Sequence, residues 1–286
     1  MKTIVTHISP DLDALTAIWL IRRFFPGWEK AKLEFVPAGQ TFQGKPVDND
    51  PDVIHVDTGL GKYDHHQTKE DICAAALVLE EILAIDSVSE TKEKIKDWQK
   101  EALKRILKIV NEDDHAGFLA WPEPASDRWE FNLNQIAGGL VNSFKKQAEF
   151  VEYFLPLLDS LLKIMTGKIE AEEIIKNGRE FATPWGKGIA AETENAEFRQ
   201  LALKLGYVLV VKKRPQTGHL GIYANWQKGV NLKKIYRALI KADPDADWYF
   251  HISGFMVLNG STSNPGMKPT KLKLEEVVKL IGLNFK

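Results

Sequence analysis

Four short segments in the first 120 residues carry side chains that could hold cations. The first runs His7-Ile8-Ser9-Pro10-Asp11-Leu12-Asp13. A turn through Pro10 can bring the His7 nitrogen and an Asp11 oxygen onto one ion, while Asp13, two residues on, points elsewhere and can reach a second. The second segment, Val53-Ile54-His55-Val56-Asp57, is an apolar run ending in a carboxylate that could stand between two ions. The third is Asp64-His65-His66 and the fourth is Asp113-Asp114. Gathered together they would form a carboxylate-rich cage with two histidines.

Charge decides whether such a cage could exist empty. Two carboxylates 4 Å apart repel by about 4 kcal/mol at an effective dielectric constant of 20. Four of them make several such pairs, against a net stability of about 5–15 kcal/mol. Either some carboxyls stay protonated or divalent cations neutralise them. Mixed oxygen and imidazole donors suit Mn²⁺ best, with Mg²⁺, Co²⁺ or Fe²⁺ as alternatives. The single cysteine, Cys73, excludes a cysteine-rich zinc site. Each segment alone also has a plain structural alternative. Asp13 could cap a helix beginning at Ala14, His55 reads as a buried strand residue, and His115 is either a neighbour of the ligands or simply exposed.

The elements that must position these residues follow from the apolar spacing. Residues 3–6, 32–36 and 53–56 read as strands, and 13–25, 72–85 and 91–110 as helices, with a turn at Gly117 and a loop at 121–124. Strands alternating with helices imply a parallel sheet. The four segments then fall at strand-to-helix junctions, where open α/β folds build their sites. A helical stretch over 147–176 leads to strands at 188–191, 207–211, 220–224 and 248–253, with helices at 196–205 and 232–242. The expected fold class is therefore α/β: a parallel-sheet metal-binding domain over 1–150, a helical linker over 151–183, and a smaller α/β domain over 184–286.

Length and composition agree with this. A chain of 286 residues, 44% hydrophobic and 27% charged, has the composition of about two soluble globular domains. Its longest apolar stretch, 150–164, is interrupted by Glu152, Asp159 and Lys163, whereas a bilayer span needs roughly 20 apolar residues. No membrane partner is expected, and with no apolar signal core near the start a cytoplasmic setting is the expectation. The formal net charge of -1 hides an asymmetry: residues 207–286 hold 13 Lys and Arg against 5 Asp and Glu. A bulk charge near zero argues against coating long nucleic acid. A basic part facing an acidic one suits a phosphate-bearing ligand, although uneven charge also arises on ordinary solvated surfaces.

The segment from His7 to Asp13, the strand-final Asp57, the Asp64-His65-His66 triplet and the Asp113-Asp114 pair resemble, in order, the four motifs of the DHH phosphoesterase superfamily. That superfamily includes RecJ-type exonucleases, oligoribonucleases, manganese-dependent pyrophosphatases and exopolyphosphatases. The resemblance implies two metal ions: one held by His7, Asp11 and Asp57, the other by Asp13, Asp57, His65 and Asp114, with Asp113 as the alternative to Asp114. It implies that His66 lies beside the substrate phosphate as a catalytic donor, that Asp64 orients its neighbours, and that Asp57 is both ligand and catalytic bridge. The implied chemistry is two-metal hydrolysis with no serine or cysteine nucleophile.

The resemblance also implies a phosphate-binding second domain, usually with a glycine run followed by histidine. Here the segment 254–268 lacks that run but offers Ser261, Asn264 and Lys268 as an anion cradle, unless it is an ordinary hydroxyl-rich surface loop. Arg214 is the best substrate contact in Lys212-Lys213-Arg214, because a guanidinium forks onto phosphate; His219 and Asn225 are weaker candidates. The expected partner is a phosphate-bearing small molecule or a short single-stranded oligonucleotide, with a homodimer as an assembly the sequence allows. Three functions fit: a phosphoesterase acting on small nucleotides or short oligonucleotides, an inorganic pyrophosphatase or exopolyphosphatase, and a non-catalytic scaffold of the same fold.

Overall fold

The computed structural model describes residues 1–88 and 94–283. The chain divides into two compact units, Met1–Met165 and Thr166–Lys286. The division falls inside one long helix rather than at the edges of a linker.

In the first unit, β1 (Thr3–His7) is the middle strand of a three-stranded parallel sheet, flanked by β2 (Lys32–Val36) and β3 (Val53–His55). Its first four residues are buried, as β-branched and apolar residues are in a strand covered on both faces. Helix α1 (Leu12–Phe24) follows, with every residue from Leu12 to Ile21 buried and Arg22 and Arg23 in the last turn, where cations suit the helix dipole. Next come α2 (Ala74–Val88), α3 (Asp97–Asp114), α4 (Leu133–Val141) and α5 (Gln147–Asn177). The helix expected over 91–110 begins later and extends to Asp114; residues 91–93 lie outside the described residues. The first half of α5 packs Phe150, Phe154 and Leu158 into the core and is tied to α1 by Trp19 Nε1 donating to Asp159 Oδ1 at 3.0 Å.

The second unit is a six-stranded mixed sheet in the order β4 (Arg179–Thr183), β5 (Gly186–Glu192), β6 (Leu209–Lys213), β7 (Leu220–Ala224), β9 (Met256–Asn259), β8 (Tyr249–Phe250). Helices α6 (Phe198–Lys204), α7 (Lys233–Ala242) and α8 (Leu274–Leu283) cover it. Two expectations change here. The strand expected over 248–253 shrinks to two residues, because a turn at 251–254 interrupts it. The segment 254–268 is not one loop: Met256–Asn259 pairs with β7, burying Val257 and Asn259, and the loop proper begins at Gly260. Periodicity over four residues gives little signal; the pairing partner supplies the burial. Among the described residues, no helix is long and apolar enough to cross a membrane.

Candidate metal centre

The sheet of the first unit ends β1 and β3 side by side, so His7 and Asp57 are neighbours although 50 residues separate them. His7 Nε2 lies 3.1 Å from Asp57 Oδ2, and Nδ1 lies 3.0 Å from the carbonyl of Ile8. A carbonyl only accepts, so Nδ1 carries the hydrogen and Nε2 is left to face Asp57 or a cation. A backbone hydrogen bond of this kind fixes the tautomer of a metal-ligating histidine. Ser9, Asp57 and Leu60 all have positive φ, near 55–58°. Non-glycine residues seldom adopt this conformation, and strain of this sort collects at functional sites.

Asp11 caps α1, accepting from Ala14 N at 3.1 Å. Asp13 caps a different helix from the one its sequence position suggests: its two oxygens accept from Ala74 N and Ala75 N, each at 2.8 Å, at the start of α2. A carboxylate has about four lone-pair positions, so both aspartates keep acceptor capacity beyond their caps. Asp13 Oδ2 is 4.0 Å from His65 Nε2. His65 Nε2 is also 3.5 Å from Asp57 Oδ1 and 3.6 Å from Asp114 Oδ2. Asp114 is thus the member of the 113–114 pair that meets His65. Asp113 is buried and lines a smaller adjoining pocket with Asp11, Asp13, Asp114 and Asn134.

Asp64 is buried, and its Oδ1 accepts from both the backbone N–H of His66 and His66 Nδ1, the latter at 2.7 Å, while Oδ2 accepts from Leu60 N. The His66 ring is therefore held by one nitrogen and its Nε2 remains for the pocket. His55, by contrast, accepts from Phe42 N through Nε2, and Cys73 is fully buried at the start of α2. The pocket, of about 310 Å³, is lined by His7, Asp11, Asp57, Asp64, His66 and Asp114, with Gly39 and Leu60 in its wall.

Electrostatics report the crowding. Burial, then the charge of Asp57, raises the Asp11 carboxyl, and the same two causes raise Asp13 well above the usual range. Asp114 is raised by burial, with His65 opposing and Asp11 and Asp57 adding to the shift; Asp113 is pushed up to about 6 by burial, Asp11 and Asp114. Burial works against the His7 imidazolium, yet the Asp57 hydrogen bond, the Ile8 carbonyl and nearby carboxylates outweigh it and bring it to about 9. Burial also opposes charge on His66, but the hydrogen bond to Asp64 and the surrounding carboxylates raise it.

A divalent cation fits this donor set. Asp57 Oδ1 and His65 Nε2 are buried without a hydrogen-bond partner, which costs about 1–3 kcal/mol apiece unless something else pairs with them. Three overlapping groups of donor atoms each lie within 4.8 Å: His7, Asp11 and Asp57; Asp57, His65 and His66; and His65, Asp114 and His115. Asp57 joins the first two and His65 the last two. His115 entered the sequence reading only as ambiguous, and Gln147 did not enter at all; its Oε1 accepts from Ser9 N at 2.8 Å and steadies the turn that carries Asp11. No spacing rule reaches across 138 residues.

The residues expected to bind substrate lie in the second unit. Arg214 Nη2 is 3.5 Å from Thr262 Oγ1, so Arg214 and the 261–264 turn are brought together. Ser261 and Asn264 close that turn on each other, Ser261 Oγ accepting from Asn264 N at 3.0 Å. The backbone N–H of Lys268 donates to Asp247 Oδ2. His219 is buried, with Nε2 on the Met267 carbonyl, and a Cβ at Gly260, where φ is +86°, would stand 2.4 Å from its ring. Asn225 caps the short turn that begins at Trp226.

No family model matches the chain, and no curated protein matches it. Solved structures do. RecJ from Thermus thermophilus in complex with Mg²⁺ matches at a TM-score of 0.32 and 11% identity over 99% of this chain and 49% of that one. The DHH domain of a member of the s1p family of ribosomal proteins matches at 0.31 and 13%, over 99% and 86%. A Methanococcus jannaschii chain assigned to the family II inorganic pyrophosphatases matches at 0.25 and 16%, over 100% and 99%. A DHH domain, the superfamily whose motifs the sequence resembles, is among the structures to which this chain is similar.

Proposed function

We propose that the protein is a two-metal-dependent phosphoesterase acting on small nucleotides or short oligonucleotides. The observation that carries this reading is the pair of buried, partnerless atoms, Asp57 Oδ1 and His65 Nε2, set among His7, Asp11, Asp13 and Asp114. His7, Asp11 and Asp57 would hold one ion; Asp13, Asp57, His65 and Asp114 the other. Carboxylate and imidazole donors suit Mn²⁺, with Mg²⁺ or Co²⁺ as substitutes. When bound, the ions would supply Lewis acidity toward phosphate oxygens and ease deprotonation of water. The chain's own contribution is positional. Ile8 sets the His7 tautomer, the cap bonds hold Asp11 and Asp13, and Asp64 fixes the His66 ring so that Nε2 can donate a proton to the oxygen that leaves phosphorus. In the second unit, Arg214 with Ser261, Asn264 and Lys268 would bind substrate phosphate.

Incubation of the purified chain with Mn²⁺ and a panel of dinucleotides, short RNA, bis-phosphorylated nucleotides, pyrophosphate and polyphosphate tests the proposal. Turnover of phosphoesters is expected; none on any of them overturns the reading. Phosphate release from inorganic chains alone would select a pyrophosphatase or exopolyphosphatase. Substoichiometric metal by mass spectrometry, with stability unchanged on chelation, would select the non-catalytic scaffold.

A further inference from the structure

Directly after the metal-centre helix, the chain builds an aromatic surface that hydrolysis does not require. Helix α3 ends at Asp114 and His115, and Gly117 turns the backbone so closely that a Cβ there would stand 2.6 Å from the Glu112 carbonyl oxygen. Beyond this turn, Trp121 and Trp129 meet with centroids 4.8 Å apart and planes inclined at 47°. Trp129 Nε1 donates to the carbonyls of Pro122 and Glu123 at 3.2 and 3.0 Å, which fixes the indole. The two rings, with Ile109, Phe131 and Asn132, line a pocket of about 440 Å³. Phe131 is 82% exposed and Ile109 42%, an unusual concentration of bare apolar surface.

We propose that this pocket binds a nucleobase, and so makes the substrate of the metal centre a nucleoside phosphate rather than an inorganic one; the second half of this inference rests on the function proposed above. Three observations support a base. Two contacting indoles offer a wide π-surface, which stacks any base by its face. Asn132 spends Oδ1 on Leu133 N at 2.7 Å, and its Nδ2 has no partner among the described residues, leaving a donor for a base edge. Charge does not favour a long polyanion: Arg128, in the pocket lining, is paired with Glu123 at 2.6 Å, and Asp127 and Glu130 flank it in sequence. An uncharged base is tolerated there while a run of phosphates is not favoured. Proximity supplies the link to chemistry. Asn132 lines the aromatic pocket, and Asn134, two residues on, lines the small pocket that Asp11, Asp13, Asp113 and Asp114 share.

The test uses the full chain in two arms. In the first, saturation-transfer NMR with adenosine, in chelator and without phosphate or metal, is expected to show saturation of the base protons that Trp121→Ala and Trp129→Ala remove and Trp121→Phe restores, with thermal melts confirming that the variants fold. No saturation with the unaltered chain, or saturation undiminished in both alanine variants, overturns the pocket. In the second, Trp121→Ala is expected to raise KM for a dinucleotide about 5- to 150-fold, the range that one stacked base commands, with kcat little changed; an unchanged KM overturns the proposal. Saturation without any dinucleotide turnover keeps the base pocket and discards the proposed reaction instead. A dimer in light scattering that Phe131→Glu dissociates, with no adenosine effect, would assign the surface to a second copy and overturn the base reading.

Discussion

Each unit of the molecule buries a knot of polar side chains, and the two knots are finished differently. In the second unit, Asn259 is fully buried and complete: Nδ2 donates to the carbonyls of Asp247 and Lys268, and Oδ1 accepts from Thr270 N at 2.7 Å. Asp243 accepts from Thr270 Oγ1 and Lys271 N, at 2.7 and 2.9 Å. In the first unit, Asp57 and His65 each keep a buried atom without a partner, and carboxylates face one another. Buried polar groups are ordinarily satisfied, so a knot closed by backbone groups is structural, while one left open is arranged for something that is not part of the chain.

The largest expected effect separates the knots by function. Asp57→Asn should cut turnover by roughly 10²–10³-fold or more, the scale of losing one preorganised electrostatic contact. The metal-free melting temperature should stay level or rise, because a charge is removed from a crowded site. Steady-state kinetics with calorimetry in chelator checks this, and near-normal turnover breaks the distinction. Asn259→Ala should do the reverse. It strips partners from the Asp247 carbonyl and the Thr270 N–H, costing about 2–4 kcal/mol of stability, while metal stoichiometry is unchanged; urea titration alongside metal analysis reads both.

A smaller effect is expected from Asp64→Asn, which loosens His66 without touching the donors to the ions. Groups that orient a site in this way are worth about 10–100-fold. The reduction should fall on kcat, with metal affinity retained; a loss of metal instead would move Asp64 into the ligand set.

The last prediction is a trend with opposite signs in the two knots. Asp11, Asp13, Asp113 and Asp114 have folded-state carboxyls raised above their unfolded values, Asp113 to about 6. Their contribution to stability is present at low pH and lost as pH rises through the folded values. His7 is raised to about 9, so its contribution holds below the ordinary imidazole value and is lost as pH climbs to 9. Both run the same way: the metal-free first unit weakens from acid to mildly basic pH. Asp243 is lowered by the Thr270 hydroxyl, against burial, and by the Lys271 N–H, so its contribution is lost as pH falls. Melting in chelator should therefore show the first unit favoured by mild acid, and added Mn²⁺ should reverse that trend because ligands must be deprotonated to bind. A metal-free first unit that gains stability steadily toward pH 9 would contradict the crowding.

Local chemistry made much of this legible in the residues themselves. The apolar run of β1, the existence of α1 and the extent of α5 follow from side-chain period, and a carboxylate ending an apolar strand at Asp57 marks the sheet edge. Spacing also brought His7 and Asp11 onto one turn, because both belong to one strand-to-helix junction. It could not say which helix Asp13 caps: the two amides it accepts from belong to α2, 61 and 62 residues later. Nor could it find Gln147 behind Ser9, the strand hidden at Met256–Asn259, or the meeting of Trp121 with Trp129. Residue type and period are properties of a few neighbouring positions, and they determined the elements and the kinds of donor available. Which donors converge, and which of their atoms are left without a partner, depends on strands and helices brought together across the chain, and only the tertiary structure decided that.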